Sequence, residues 1–179
     1  MTHYWFPDTT VFRTFEAGNQ LDWLATYLGD HGRWTDVIED EVRKSIRAHA
    51  GLGRVFDERW MPDAESISDT GESLEVERFR TVNLGGDPKI PTQHLGESMT
   101  FVVMRQRGEY ADSCFITDDR DAYDLFPRQG VPTKHSLTVL QELVIRNECT
   151  AEEAYAMYVK AWEAGRGFLE SPTSHKYFQ

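Results

Sequence analysis

Short apolar runs alternate along the chain with longer segments of helical periodicity. Three of the runs, "HYWFP", "DSCFIT" and "VPTKHS", are typical of short strands. Segments such as "NQLDWLATYLG" and "SLTVLQELVIRNE" place apolar residues at helical spacing. This alternation predicts an α/β domain in which a short, mostly parallel sheet packs between helices.

The length of 179 residues suits a single domain spanning residues 1–179. Residues 51–93 are the hardest to assign, because "VFDERWMPDAES" fits a helical turn and "SLEVERFRTVN" fits either a helix or a strand. We interpret this stretch as an insertion or an elaborated helical and loop region. Residues 168–179 are predicted to form a loose C-terminal tail.

The chain is acidic, with a net charge of -11 and a pI of about 4.9. Because nucleic-acid binders usually carry a basic face, the charge by itself argues against one. It also permits a second interpretation, in which several acids gather to hold a divalent cation. The sequence contains neither a membrane-spanning apolar run nor a signal-peptide pattern, so we expect a cytoplasmic protein without membrane contact.

Carboxylates follow two of the predicted strands. Asp8 comes after the first strand, and the adjacent pair Asp118 and Asp119 comes after the second. Ligands of parallel sheets usually bind beyond the carboxyl ends of the strands, which is where these side chains are expected. Each of them also has a local explanation, because an acid at this position can cap the helix that follows.

Two glutamates stand at positions predicted to face inward. Glu41 falls between Ile38 and Val42 on the apolar side of its helix, and Glu97 precedes "MTFVV" near a helix start. Charged side chains are seldom buried unless they are paired or bound to metal, although Glu97 would also suit the helix dipole. With the acids at the strand ends, they predict a carboxylate pocket suited to Mg²⁺ or Mn²⁺.

The order of these motifs resembles that of PIN-domain ribonucleases, a family that includes toxins of type II toxin–antitoxin pairs. "FPDTTVFRTF" is similar to the family's first strand, aspartate and helix, and "VIEDEVRKSI" to its apolar stretch that ends in a glutamate. "HLGESMTFVV" resembles the helix start that carries the third acid, and "FITDDRDAYDLF" the Thr-x-Asp segment that carries the fourth. The ending "GVPTKHSLTVLQELVIRNECTAEEAYAMY" is similar to the family's last strand and two closing helices.

The resemblance implies a three-layer PIN-like fold and a metal-dependent endoribonuclease that hydrolyses RNA phosphodiester bonds. It implies that Asp8, Glu97 and Asp119 hold one or two Mg²⁺ or Mn²⁺ ions. Glu41 and Asp118 then act as direct or water-mediated ligands. The implied partners are an RNA substrate and an antitoxin protein, and the apolar stripe of residues 151–162 is a candidate homodimer contact as well as a candidate core face.

Two other functions stay open. "DTTV" after a first strand also fits a phosphatase of the haloacid-dehalogenase kind, but Thr10 stands where that family needs a second aspartate. From a different class, a catalytically silent PIN-like module that binds RNA or a protein would suit the acidic surface. Basic residues that could contact an RNA backbone, or simply solvate exposed helix faces, are Arg43, Lys44, Arg47, Arg105, Arg107 and Lys134.

Overall fold

Three short parallel strands form the centre of the protein, whose residues 3–179 are described by a computed structural model. The strands are β1 (Trp5–Pro7), β2 (Cys114–Ile116) and β3 (Thr133–Lys134), hydrogen-bonded in the order β1-β2-β3. Both pairings are parallel, so the carboxyl ends of the strands meet at one edge of the sheet. All three apolar runs predicted to be strands are confirmed.

α-Helices are the main secondary structure of the described chain. They are α1 (Thr9–Ala17), α2 (Leu21–Leu28), α3 (Asp36–Ser45), α4 (Gly53–Asp57), α5 (Thr70–Arg78), α6 (Leu95–Gln106), α7 (Arg120–Leu125), α8 (Ser136–Ile145) and α9 (Ala151–Glu163). A π-helical turn, Phe79–Asn83, continues α5. α9 begins with a reciprocal capping box formed by Thr150 and Glu153.

The sheet separates two apolar cores. Phe6 and Phe115 lie side by side in the parallel register and point into a core built with α5, α6 and α7. Ile116 points to the opposite face, into a core built with α1, α2, α3, α8 and α9. Because neighbouring strand residues alternate between faces, β2 is buried on both sides. The arrangement of helices, sheet and helices confirms the predicted α/β class with a short parallel sheet.

The stretch 51–93 is largely helical. "SLEVERFRTVN" forms the end of α5 and the π-helical turn, which decides between the helix and strand interpretations. Arg80 in that turn is buried, and its guanidinium donates to the carbonyl oxygens of Asp87 and Ile90 at 3.2 and 3.1 Å. The loop that leads to α6 is therefore anchored by hydrogen bonds to a buried side chain.

The C-terminal segment is packed, which differs from the expectation of a loose tail over 168–179. Phe178 is only 1% exposed and belongs to the core shared by α8 and α9. The backbone is also tied down, since Gln141 Nε2 donates to the Tyr177 carbonyl oxygen at 2.9 Å. Arg120 Nη2 donates to the carbonyl oxygen of Leu169 at 2.6 Å.

None of the helices found in residues 3–179 has the length and apolar character needed to cross a membrane.

Candidate functional site

Asp8 lies just beyond β1, and its carboxylate is buried. Its backbone N–H donates to the Ile116 carbonyl oxygen at 2.8 Å, which fixes the residue at the carboxyl edge of the sheet. Its side chain accepts from the Thr9 N–H at 2.7 Å and the Thr10 hydroxyl at 2.7 Å. The Thr117 hydroxyl beyond β2 donates to the same carboxylate at 3.2 Å. Asp8 is thus both the cap of α1 and a link between two strand ends.

Glu41 reaches the same place from α3. The Thr9 hydroxyl donates to Glu41 Oε2 at 2.8 Å, while the Thr9 N–H binds Asp8. Thr9 is buried and separates the two carboxylates, so they lie on either side of one threonine. The inward orientation expected of Glu41 agrees with its half-buried position between Ile38 and Val42.

Glu97 enters from the first turn of α6. The turn comes close to α3 because residue 96 is glycine: a Cβ there would lie 2.6 Å from Ile38 Cδ1 and 3.4 Å from Glu41 Oε1. A side chain at residue 96 would force at least the end of the Ile38 side chain to move. The Glu97 side chain is 16% exposed, and His94 Nδ1 lies 3.8 Å from its Oε1. His94 adopts a left-handed conformation with φ 57°, and α6 begins after it at Leu95.

The crowding of carboxylates changes their proton affinity. Burial, followed by the negative charges of Asp8, Glu41 and Asp119, raises the pKa of Glu97 to about 8. Burial also raises the pKa of Asp8, although the hydrogen bonds from Thr10, Thr9 and Thr117 oppose the rise. The pKa of Glu41 is raised by burial and by the charge of Asp8, against the hydrogen bond from Thr9. The three groups therefore resist being ionised together.

Asp118 and Asp119 have different surroundings, which the sequence left open. The Asp118 carboxylate accepts from the Ser136 N–H at 2.9 Å, the Ser136 hydroxyl at 2.7 Å and the Thr14 hydroxyl at 2.8 Å. It therefore holds the start of α8 against the second turn of α1. Asp119 caps α7 by accepting from the Ala122 N–H at 3.0 Å, and its charge contributes to the raised pKa of Glu97. Of the pair, Asp119 is the one that acts electrostatically on Glu97.

The carboxylates of Asp8, Glu41, Glu97 and Asp119 thus gather at one edge of the sheet. Over residues 3–179, however, no group of three or more His, Cys, Asp or Glu side chains has an arrangement that could hold a metal ion as it stands. The donor set itself is chemically suited to a hard divalent cation, because it consists of carboxylate oxygens whose mutual repulsion a cation would relieve.

Several residues of this site were missed in the sequence. Thr10 joins the two strand ends, because its hydroxyl donates to Asp8 and accepts from the Asp118 N–H at 3.2 Å. Thr14, one turn further along α1, holds Asp118. The spacing of these threonines, four residues apart on a helix that follows a strand-end acid, was an available signal. Ser136 and the C-terminal Arg166 had no comparable local signal.

Four of the basic residues considered for RNA contact form ion pairs with acidic side chains of the protein. Arg43 pairs with Glu39 one turn away at 2.6 Å, and Lys44 pairs with Asp40. Arg107 pairs with Glu65, and Lys134 pairs with Glu142. These ion pairs favour the alternative interpretation of those side chains as structural or solvating groups.

Comparison of the chain with protein-family models, curated proteins and solved structures finds no match in any of the three. Function is therefore inferred from the residues of the site and from the resemblance of the motifs.

Proposed function

We propose that the protein is a metal-dependent endoribonuclease of the PIN type that hydrolyses RNA phosphodiester bonds. The observation that carries the proposal is the gathering of Asp8, Glu41 and Glu97 at the carboxyl edge of the sheet, where burial and repulsion raise the pKa of Glu97 to about 8. Proteins rarely keep unpaired carboxylates this close unless a cation or a proton is part of their function. The motif order described above supports the same assignment.

In this proposal Mg²⁺ or Mn²⁺ is held by Asp8, Glu97 and Asp119, with Glu41 as a direct or water-mediated ligand. A bound ion of this kind lowers the pKa of a coordinated water and stabilises negative charge on the scissile phosphate. The hydrogen bonds that Asp118 accepts from Ser136 and Thr14 favour a positioning role for that residue over direct ligation.

The chain's own residues prepare the site in two ways. Thr9, Thr10 and Thr117 fix the orientation of the Asp8 carboxylate by donating to it from the backbone and from hydroxyl groups. Without a cation, the Glu97 carboxyl keeps its proton up to near-neutral pH, because burial and the neighbouring acids disfavour its charge. Cation binding is then accompanied by proton release.

The second candidate is a catalytically silent module that binds RNA or a protein. It is favoured by one observation, that the described carboxylates form no ready-made metal-binding group. A role as the toxin of a toxin–antitoxin pair, with an antitoxin protein as partner, belongs to the nuclease proposal and depends on it.

Cleavage of mixed RNA in Mn²⁺ tests the proposal. We expect the wild type to cleave and Asp8→Asn to lose about 100-fold or more of the activity, as removal of an essential metal ligand does. Asp124→Asn is the matched control, because Asp124 belongs to α7 and lies outside the group of acids at the sheet edge. Addition of Mn²⁺ should also raise the melting temperature of the wild type and of the control more than that of Asp8→Asn.

Equal cleavage by the wild type and Asp8→Asn would mean that the activity belongs to a contaminant or to another site. RNA binding by a wild type that neither cleaves RNA nor responds to Mn²⁺ would favour the silent module.

A further inference from the structure

Two half-buried arginines, Arg13 and Arg166, lie beside the carboxylate site without a carboxylate partner. Among the residues described, neither guanidinium comes within 4.0 Å of an Asp or Glu oxygen, although the chain has 30 acids. Of the other half-buried arginines, Arg54 pairs with Glu58 and Arg107 with Glu65. Arg33 has no carboxylate partner either, but it donates to two backbone carbonyl oxygens and stacks on the Tyr4 ring.

The charges of Arg13 and Arg166 act on the acids only at longer range: against the effect of burial, Arg13 lowers the pKa of Glu41, and Asp118 and Asp8 raise that of Arg166. Within residues 3–179, both guanidinium groups therefore keep N–H donors that no carboxylate occupies.

Arg13 projects from the second turn of α1 toward α3. Its Nε and Nη2 both donate to the Ser45 hydroxyl oxygen, at 3.1 and 2.7 Å. Ser45 in turn donates to the carbonyl oxygen of Glu41 at 2.7 Å. These hydrogen bonds fix the direction of the guanidinium and leave several of its five N–H donors without a protein acceptor in the described part of the chain.

Arg166 is brought to the same side of the site by the end of α9. Gly165 has a φ of +85°, its N–H donates to the Trp162 carbonyl oxygen, and the Arg166 N–H donates to the Ala161 carbonyl oxygen. These bonds form a Schellman motif, which reverses the chain after the helix. The guanidinium then makes only long hydrogen bonds, 3.5 Å to the Thr14 hydroxyl and 3.4 Å to the Thr10 carbonyl oxygen.

The positive charges of the two arginines and the negative charges of the acids lie near one another around α1. Burial lowers the pKa of Arg166, the charge of Arg13 lowers it further, and the charges of Asp118 and Asp8 oppose both effects. Arg13 precedes Thr14 in α1, and the Arg166 guanidinium reaches the Thr14 hydroxyl and the Thr10 carbonyl oxygen, so the two arginines meet at the same helix. An anion bound there would offset their like charges. Planar guanidinium groups with free N–H donors match the geometry of a phosphate.

We propose that Arg13 and Arg166 form a phosphate-binding site for the RNA strand, next to the carboxylates; this inference rests on the proposed nuclease function for the identity of the anion. A backbone phosphate bound by the two guanidinium groups would place the neighbouring phosphodiester over the carboxylates. The acidic protein would in this way bind a polyanion through a local cationic site, in spite of its net charge of -11.

Binding of a fluorescent single-stranded RNA in EDTA tests this site without any cleavage. We expect Arg13→Gln and Arg166→Gln each to weaken binding about 10-fold. The RNA association constant falls as salt concentration rises. Each variant should make the slope of its logarithm against log salt concentration less steep, by about 0.7 for every phosphate that the variant no longer neutralises. Arg128→Gln is the matched control, because Arg128 is exposed in a turn on another part of the surface. Arg166→Lys should retain the salt slope but recover only part of the affinity, since it keeps the charge and loses the planar fork.

In Mn²⁺, Arg13→Gln and Arg166→Gln should each have a lower kcat/KM for RNA than the wild type. The rise in melting temperature that Mn²⁺ causes should be the same in these variants as in the wild type. If both glutamine variants bind RNA as tightly as Arg128→Gln does, the phosphate site is wrong even where cleavage is intact. If the wild type fails to cleave but its RNA binding depends on Arg13 and Arg166, the nuclease proposal fails and the phosphate site stands.

Discussion

At the scale of single residues, the acids at the strand ends have local structural roles and also act on one another. Asp8 caps α1, and Asp119 caps α7. Capping and cation binding are compatible, because a carboxylate oxygen that accepts one backbone N–H keeps a second lone pair. The two explanations of these residues offered by the sequence are therefore not exclusive. Glu97 differs, since its carboxylate lies among negative charges and takes no cap role.

The raised pKa of Glu97 predicts a pH-dependent stability in the cation-free protein. The folded state keeps a proton that the unfolded chain releases near pH 4.5, so folding is favoured at low pH and loses this contribution as pH rises through about 8. Urea unfolding in EDTA between pH 5 and 8 should show the free energy of unfolding declining with pH, by up to about 1.4 kcal/mol per pH unit for one proton.

Glu97→Gln should flatten that decline, because a glutamine has no proton to lose. Glu163→Gln, at an exposed position near the end of α9, provides the control and should keep the wild-type slope. A wild-type stability that is constant from pH 5 to 8 would show that Glu97 is not crowded by the other acids.

At the scale of elements, helix ends decide where the functional side chains go. Asp8 and Asp119 stand at helix starts, Glu97 in a first turn, and Arg166 just after a helix end. The capping box of α9 was readable from Thr150 and Glu153, because both partners lie within one turn. The exact start of α6 was not readable, because a left-handed conformation at His94 is not predictable from its residue type.

The Schellman motif at the end of α9 makes a testable prediction. Gly165→Ala should lower the free energy of unfolding by about 1 kcal/mol, since a side chain is strained at a φ of +85°. Urea unfolding measures the change. Gly167→Ala is the matched control two residues away, where a Cβ would meet open space. Equal stability of the two variants would show that the helix end does not need the left-handed turn.

At the scale of the whole molecule, segments near both ends of the described chain contribute to the sheet and the core. β1 is the edge partner of β2, and the C-terminal Phe178 packs in the core of α8 and α9. The segment "FLESPTSHKYFQ" was expected to be a loose tail, but its last aromatic residue, Phe178, is buried in the core of α8 and α9. Composition alone does not report such packing.

Phe178→Ala should therefore destabilise the protein by about 3 kcal/mol, which is the usual effect of removing a buried aromatic side chain. Lys176→Ala, a less buried position in the same turn, should change the free energy of unfolding by less than about 0.5 kcal/mol. Chemical denaturation of both variants distinguishes a packed C-terminus from a loose one, for which neither substitution would matter.

The sequence by itself determined the strands, most of the helices and the position of acids after β1 and β2, because apolar periodicity and capping act within a few residues. Only the tertiary structure decided that α6 packs close to α3 at Gly96 and that Asp118 links the start of α8 to the second turn of α1. It also decided that Arg166 returns to α1 from more than 150 residues away. Such arrangements depend on how helices pack across the sheet, and no local pattern encodes that packing.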